Sequence, residues 1–341
     1  MPAYQPPFTL TSEIVSLVAE ISERLGRLSV QLDDENQLRL RRINRIRTVA
    51  GSLAIEGNTL NEEQITAILE GKRVIAPPRE IQEAHNALAA YEQLPHWSPE
   101  KQPDLLAAHR LLMLGLIDSA GSYRHSGVGV MAGDKVLHMA PPANQVPRLM
   151  NELFAWLADT QQHPLIVSSV FHYEFEFIHP FADGNGRMGR LWQTLLLTQW
   201  QPLFANLPVE SLVHQHQGDY YQAINKSTAQ TDSAPFIAFM LTMIRDALHN
   251  SATPQVDHQV SPQVAAMLKA LKGEMTREQL QTSLGLSDRK SFRQRYLLPA
   301  LEAGWLEMTR PDKPQSRLQK YRLSAAGKAA LAQLEQDYPQ P

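Results

Sequence analysis

The chain has 341 residues, 43% hydrophobic and 20% charged, with a net charge of -3. This length buries a sizeable core in two domains, or in one domain with appendages, and the charge excludes a protein that coats nucleic acid all over while leaving room for a local basic patch. It contains no cysteine, which removes disulfides, thiolate nucleophiles and cysteine-ligated zinc and suits a reducing compartment. The first residues, MPAYQPPFTL, lack the basic start and apolar run of a secretion signal, and no stretch reaches the roughly 20 apolar residues that span a bilayer. The expectation is a cytoplasmic protein with no membrane partner.

Apolar residues recur at helical spacing almost throughout, so the expected fold is mainly α. An early helix carries Ile43, Ile46, Ala50 and Leu53 on one face and Arg41, Arg42, Arg45 and Arg47 elsewhere, and it stops at EGN, where Gly57 can turn left-handed. The next begins at Asn61, which forms a capping-box pair with Gln64 ahead of Ile65, Ile68 and Leu69, and Gly71 closes it. Pro78 opens a third, with Ile81, Ala84, Leu88 and Tyr91 in phase. From Ser126 to Pro142 the pattern changes to SGVGVMAGDKVLHMAPP, two β-rich runs about an Ala-Gly-Asp turn. A lone hairpin is marginally stable, so it must lean on the helices.

The helix after Pro164 carries Leu165, Val170, Tyr173 and Phe177 and ends near Ile178, because a residue before proline is pushed out of α geometry. A new apolar helix, RLWQTLLLTQW, follows the glycines directly. The stretch between, HPFADGNGRMGR, therefore joins two helices and puts a histidine, a carboxylate, an amide and two arginines among three glycines. Further on, SATPQVDHQVSPQ reads as a linker. The expected divisions are N-terminal helices over 1–110, a catalytic core over 111–250, a linker over 251–260 and a last domain over 261–341. Residues 261–341 hold 13 Lys and Arg against 8 Asp and Glu, net +5, and the rest of the chain is net -8.

Gly184 and Gly186 about Asn185 let backbone N–H groups converge, and the helix that follows adds its positive end, which makes an anion cradle. Arg187 and Arg190, three apart in the first turn, can grip a polyphosphate from one side. Asp183 offers a hard oxygen to magnesium, which takes one or two carboxylates and fills its other positions with phosphate and water. His179 can then remove a proton from an incoming hydroxyl. The plain alternative is a glycine-rich helix cap with its arginines salt-bridged at the surface; the convergence of so many residue types speaks against it.

HPFADGNGRMGR resembles, without a gap, the signature H-x-F-x-[D/E]-G-N-G-R-x-x-R of the Fic family of adenylyltransferases, and the helices and flap-like hairpin over about residues 40–250 follow the same order of elements. The resemblance implies a Fic-type helical bundle with a β-hairpin flap. It implies transfer of AMP from ATP to a Ser, Thr or Tyr hydroxyl of a protein, itself included, with pyrophosphate released. It implies His179 as general base, Phe181 as loop anchor, Asp183 as Mg2+ ligand and Gly184, Asn185 and Gly186 as the anion cradle. Arg187 would meet the α- and β-phosphates and Arg190 the γ-phosphate. Val136, Leu137 and His138 would lie on the flap that docks the target by strand pairing, unless the hairpin only stabilises the fold. In GDYYQAI, Tyr220 and Tyr221 would be one core aromatic and one wall of the adenine pocket.

The earlier GSLAIEGN resembles the family's inhibitory element [S/T]-x-x-x-E-[G/N], with Ser52, Glu56 and Gly57 at the specified positions. By that resemblance Glu56 takes the guanidinium of Arg190 that the γ-phosphate needs. The same glutamate could instead orient a water that removes AMP from a modified target. The last domain, with a capped helix at Thr276, an LGLS turn, a helix bearing Arg289, Lys290, Arg293 and Arg295 and two extended runs about a basic tip, resembles a winged helix. Its partner is DNA, in a regulator whose core senses nucleotide, or a protein, a second copy of the chain in a homo-oligomer included. His109, His172, His214 and His216 show no metal-ligand spacing.

Overall fold

A computed structural model describes residues 4–31, 34–127, 129–132, 135–252, 262–286, 288–310, 316 and 318–337. The chain divides into two compact units, Met1–Thr253 and Pro254–Pro341. In the first, α1 (Ser12–Gln31), α2 (Asp34–Ile55), α3 (Glu62–Leu69), α4 (Pro78–Gln93) and α5 (Gln102–Leu112) precede a hairpin of β1 (Gly129–Ala132) and β2 (Lys135–Met139). After it come α6 (Val146–Asp159), α7 (Pro164–Ile178), α8 (Asn185–Trp200), α9 (Val209–Gln215), α10 (Gln217–Gln230) and α11 (Ala234–Ala252). The mainly α fold expected from the periodicity is the fold observed. No helix among the described residues is long and apolar enough to cross a membrane.

Local chemistry sets the bounds. The Asn61 side chain accepts from the Gln64 amide while the Gln64 side chain accepts from the Asn61 amide, so α3 starts with both orphan donors satisfied. Pro78 opens α4 and Pro164 opens α7, where a missing amide costs nothing. α7 is apolar nearly all round and accordingly lies in the centre, with Phe171 and Phe175 fully buried and α8 packed along it. Two of its polar residues are paired where they enter the core: Ser169 donates to the Leu165 carbonyl at 3.0 Å, and Glu174 accepts from the Tyr4 hydroxyl at 2.6 Å.

α2 lies close against the start of α9 because Gly51 has no side chain; a Cβ there would stand 2.5 Å from the Ser211 amide nitrogen. Ser211 then donates to the Arg47 carbonyl at 2.8 Å. This docking carries the end of α2 to the start of α8. In the hairpin, Val130 pairs with His138 and Met131 with Val136, with a bulge between Val130 and Met131. Val136, Leu137 and His138 all belong to β2, and Gly133 and Asp134 of the expected turn lie outside the described residues.

The second unit has its own core, including Met267, Leu268, Leu280, Phe292 and Trp305. Its elements run α12 (Pro262–Ala270), β3 (Met275–Thr276), α13 (Arg277–Ser283), α14 (Arg289–Phe292), a π turn (Arg293–Leu297), α15 (Leu298–Glu302), β4 (Leu306–Met308), β5 (Lys320–Leu323) and α16 (Ala325–Asp337). The sheet order is β3-β5-β4, antiparallel throughout. Thr276 caps α13 in a capping box with Gln279 and also supplies the last residue of β3, the one strand its sequence did not announce. Most of the expected linker, from 253 on, and most of the basic tip, 311–315 and 317, lie outside the described residues.

Candidate functional site

The connection between α7 and α8 is built around one unfavourable residue. His179 has φ 50 and ψ 61, a left-handed backbone that costs a non-glycine residue about 1–3 kcal/mol. Arg124, 3% exposed, holds it there. Its Nε donates to the His179 carbonyl at 2.7 Å and its Nη2 to the Ile178 carbonyl at 3.3 Å. The same guanidinium donates to the carbonyls of Ser126, before β1, and Pro141, after β2, at 2.9 and 2.6 Å. One buried cation thus fastens both the histidine turn and the base of the hairpin.

Phe181 is fully buried and stacks on His109 with ring centroids 3.6 Å apart. His109 Nδ1 accepts from the Gly121 amide at 2.9 Å, so the proton sits on Nε2, which donates to the Asp183 carbonyl at 3.0 Å. Burial pushes this imidazole down to about 4, and it stays neutral at neutral pH. His109 is a post for the loop. Asn185 closes the loop by accepting from the Phe181 amide and donating to the Phe181 carbonyl, each at 2.9 Å. Asn185→Ala leaves both backbone groups unpaired, and we expect it to cost about 2 kcal/mol or more, read as a fall of about 4–8 °C in the melting temperature. Asn185→Asp, which keeps the acceptor, should lose less.

The His179 imidazole has Nδ1 3.4 Å from the Glu176 carbonyl and 4.0 Å from its carboxylate. This environment favours the proton on Nδ1 and leaves Nε2 as the free base. Burial opposes ionisation of Glu176, but His172, His179 and Arg190 outweigh it and hold the carboxyl below its usual range. Sequence reasoning passed over Glu176. Its one signal is its place three residues before His179, on the same face of the last turn of α7.

Arg190 is 2% exposed. Its Nη2 donates to Glu56 Oε1 at 2.7 Å and to the Ser52 carbonyl at 3.0 Å, and its Nε donates to Ser52 Oγ at 3.1 Å. Burial opposes its charge, and Glu56, ahead of Tyr220 and Glu176, more than offsets this. A Cβ on Gly186 would run into the Glu56 carboxylate, which therefore lies against the first turn of α8, where an anion is favoured. Gly57 has φ 86 and ends the helix that delivers Glu56.

Arg187, 5% exposed, turns the other way. Its Nη2 donates to Asp183 Oδ1 at 3.1 Å, its Nη1 stands 3.4 Å from Glu83 Oε1 on α4, and its Nε has no partner among the described residues. Arg79 Nη2 takes the other Asp183 oxygen at 3.1 Å. The two signature arginines therefore do not present one side. Residues three apart on a helix differ by about 60° around its axis, enough to send Arg190 to α2 and Arg187 to α4. Asp183 is 41% exposed and is a hard oxygen donor, which fits a magnesium ion that takes few carboxylates. Among the described residues no group of three or more metal-ligating side chains converges. Tyr220 is core, 2% exposed with its hydroxyl 3.2 Å from His172 Nε2, and Tyr221 beside it is half-buried.

The profile of the Fic/DOC family matches residues 99–197. A profile described as the C-terminal domain of Filamentation induced by cAMP protein Fic-like matches residues 262–324. A crystal structure of a Fic family protein from Desulfovibrio desulfuricans G20 is 52% identical, with TM-score 0.70, over 94% of this chain and 99% of that one. Fic-1 from C. elegans, 24% identical with TM-score 0.57 over 70% of this chain and 71% of that one, shares the fold. Among curated relatives, the Protein adenylyltransferase Fic of Aedes aegypti is 30% identical over 63% of this chain and 44% of its own length. That of Nematostella vectensis is 30% identical over 55% and 44%. The chain thus spans less than half the length of these curated relatives.

Proposed function

The chain belongs to the Fic family, and from that premise we propose that it is a protein adenylyltransferase held off by its own α2, moving AMP from ATP to a Ser, Thr or Tyr hydroxyl of a protein, itself included. The observation that carries this reading is the Arg190–Glu56 pair at 2.7 Å, with His179 turned out of the helix on the same loop. A guanidinium with 2% exposure is costly to bury unless an anion meets it, and here the anion is the Glu56 carboxylate from the turn after α2, which takes the arginine that a terminal phosphate would need.

In the transfer, the acceptor hydroxyl oxygen forms a bond to the α-phosphorus, the bond from that phosphorus to the bridging oxygen breaks, pyrophosphate leaves, and the hydroxyl proton passes to His179 Nε2. Arg187 and Arg190 balance the charge on the phosphate oxygens. Asp183 would hold the magnesium ion, which supplies Lewis-acid neutralisation of the phosphates when bound. The β1–β2 hairpin offers an edge on which an extended target segment can pair. ATP labelled at the α-phosphate, given to the Glu56→Gly variant, should leave label on protein and γ-labelled ATP should leave none. Label retained from the γ position would overturn the assignment. Loss of AMP from a pre-modified target that needs Glu56 would make the physiological direction removal.

The second unit reads as a winged helix whose basic helix meets DNA. Arg289, Lys290, Arg293 and Arg295 are all exposed, and only Arg289 has an ion-pair partner among the described residues, Glu278 at 3.4 Å. We expect the whole chain to be retained on duplex DNA at low salt, with log affinity falling by about 0.9 per phosphate contacted as log salt rises. Changing Arg289 and Arg293 to Glu should abolish retention. Retention indifferent to both changes would assign this face to a protein partner.

A further inference from the structure

Two carboxylates meet the signature arginines, and they are held in different ways. Glu56 has a side chain 34% exposed and is bonded only to Arg190 among the described residues. Glu83, on the second turn of α4, is 12% exposed and has three partners. It accepts from Asn58 Nδ2 at 2.9 Å and stands 3.4 Å from both Arg79 Nε and Arg187 Nη1. A carboxylate that must leave before triphosphate can enter has to be loosely held and near solvent, as Glu56 is. One gripped by three groups and sheltered among them belongs to the frame.

The consequence falls on Arg187. Its guanidinium is a planar fork whose donors point in fixed directions, so its use depends on what sets the plane. Here the plane is set by Glu83 from α4 on Nη1 and by Asp183 from the loop on Nη2, and Nε is left without a partner. Asp183 is shared, since Arg79 takes its second oxygen and the Gly184 amide also reaches Oδ1, at 2.6 Å. Glu83 is the brace on α4.

Resting on the loop's assignment as a triphosphate site, we infer that Glu83 is a positioning residue for nucleotide binding, holding Arg187 in its phosphate-facing pose from outside the signature. Its neighbour Glu80 supplies the control. Glu80 Oε2 accepts from the amide and hydroxyl of Thr59, both at 2.7 Å, and its carbonyl accepts from Asn58 at 3.2 Å. It therefore anchors the same segment after α2 without an ion pair to Arg187.

The test uses the full chain carrying Glu56→Gly, with calorimetry of MgATP and steady-state AMP transfer. Adding Glu83→Gln, which keeps an acceptor for Asn58 but removes the charge, should raise both Kd and KM for ATP about tenfold, equivalent to about 1.4 kcal/mol, with kcat moving less. Adding Glu80→Gln should leave Kd unchanged. Arg187→Lys, which keeps the charge but loses the fork, should weaken ATP at least as much and reports even where Glu83→Gln fails to fold. Tighter ATP binding in Glu83→Gln would make Glu83 a second competitor and overturn the inference. So would equal losses from Glu80→Gln, or full affinity in Arg187→Lys. Glu56→Gly protein that takes up ATP but transfers no AMP defeats the proposed function and leaves this comparison standing; uptake indifferent to Glu83 does the reverse.

Discussion

Glu56→Gly is expected to raise AMP transfer by about 10- to 100-fold over the unaltered chain at ATP concentrations below saturation. A charge-assisted hydrogen bond contributes about 1.5–3 kcal/mol, and each 1.4 kcal/mol is a factor of about ten in an equilibrium constant. Removing Glu56 should not let Arg190 collapse, because Ser52 still receives two of its bonds, one through its hydroxyl and one through its carbonyl. The arginine is thereby left extended with one free donor set facing the first turn of α8. Glycine is tolerated at this position because the helix has already ended at Ile55 and Glu56 stands in the turn beyond it. The gain should appear mainly as a lower KM for ATP, since the competitor being removed acts on binding. Intact-mass measurement of protein incubated with MgATP reads the outcome. Equal AMP incorporation by both proteins would show that the 2.7 Å pair is structural, not a brake.

The chemistry of this site was unusually legible because one contiguous loop spells most of it. His179, Asp183, Arg187 and Arg190 all fall within a dozen residues, and Glu56, the partner of Arg190, stands in a short pattern of its own. What could not be read was the support. Arg124, His109, Glu83 and Arg79 each come from an element distant in sequence, each is of a common type, and none stands at a spacing that announces a role. Only packing brings them to the loop. The arginine pair shows the limit in another way: a spacing of three suggests a common side, but Glu56 in the turn after α2 and Glu83 on α4 draw the guanidiniums apart. α1 is legible in the sequence, since Ile14, Leu17, Ile21, Leu25 and Leu28 follow helical spacing and are all buried.

His179→Ala in the Glu56→Gly background is expected to lower AMP transfer by about 100- to 10,000-fold, the span that a positioned general base typically contributes. Two features of the turn put the loss in the chemical step. Among the described residues the imidazole's polar contacts lie at 3.4 and 4.0 Å, both to Glu176, so truncation gives up little folding energy. Alanine must still adopt the left-handed backbone at φ 50 that Arg124 enforces, so the loop keeps its shape. Arg187 is braced by Glu83 and Arg190 by Ser52, and among the described residues no hydrogen bond joins either guanidinium to the imidazole. Calorimetric affinity for MgATP should therefore stay within about threefold while kcat collapses, the signature of an interaction made only in the transition state. Transfer surviving at more than a tenth of its rate would mean that another group, or bulk water, accepts the hydroxyl proton. Loss of ATP affinity together with rate would instead place His179 among the groups that shape the cradle.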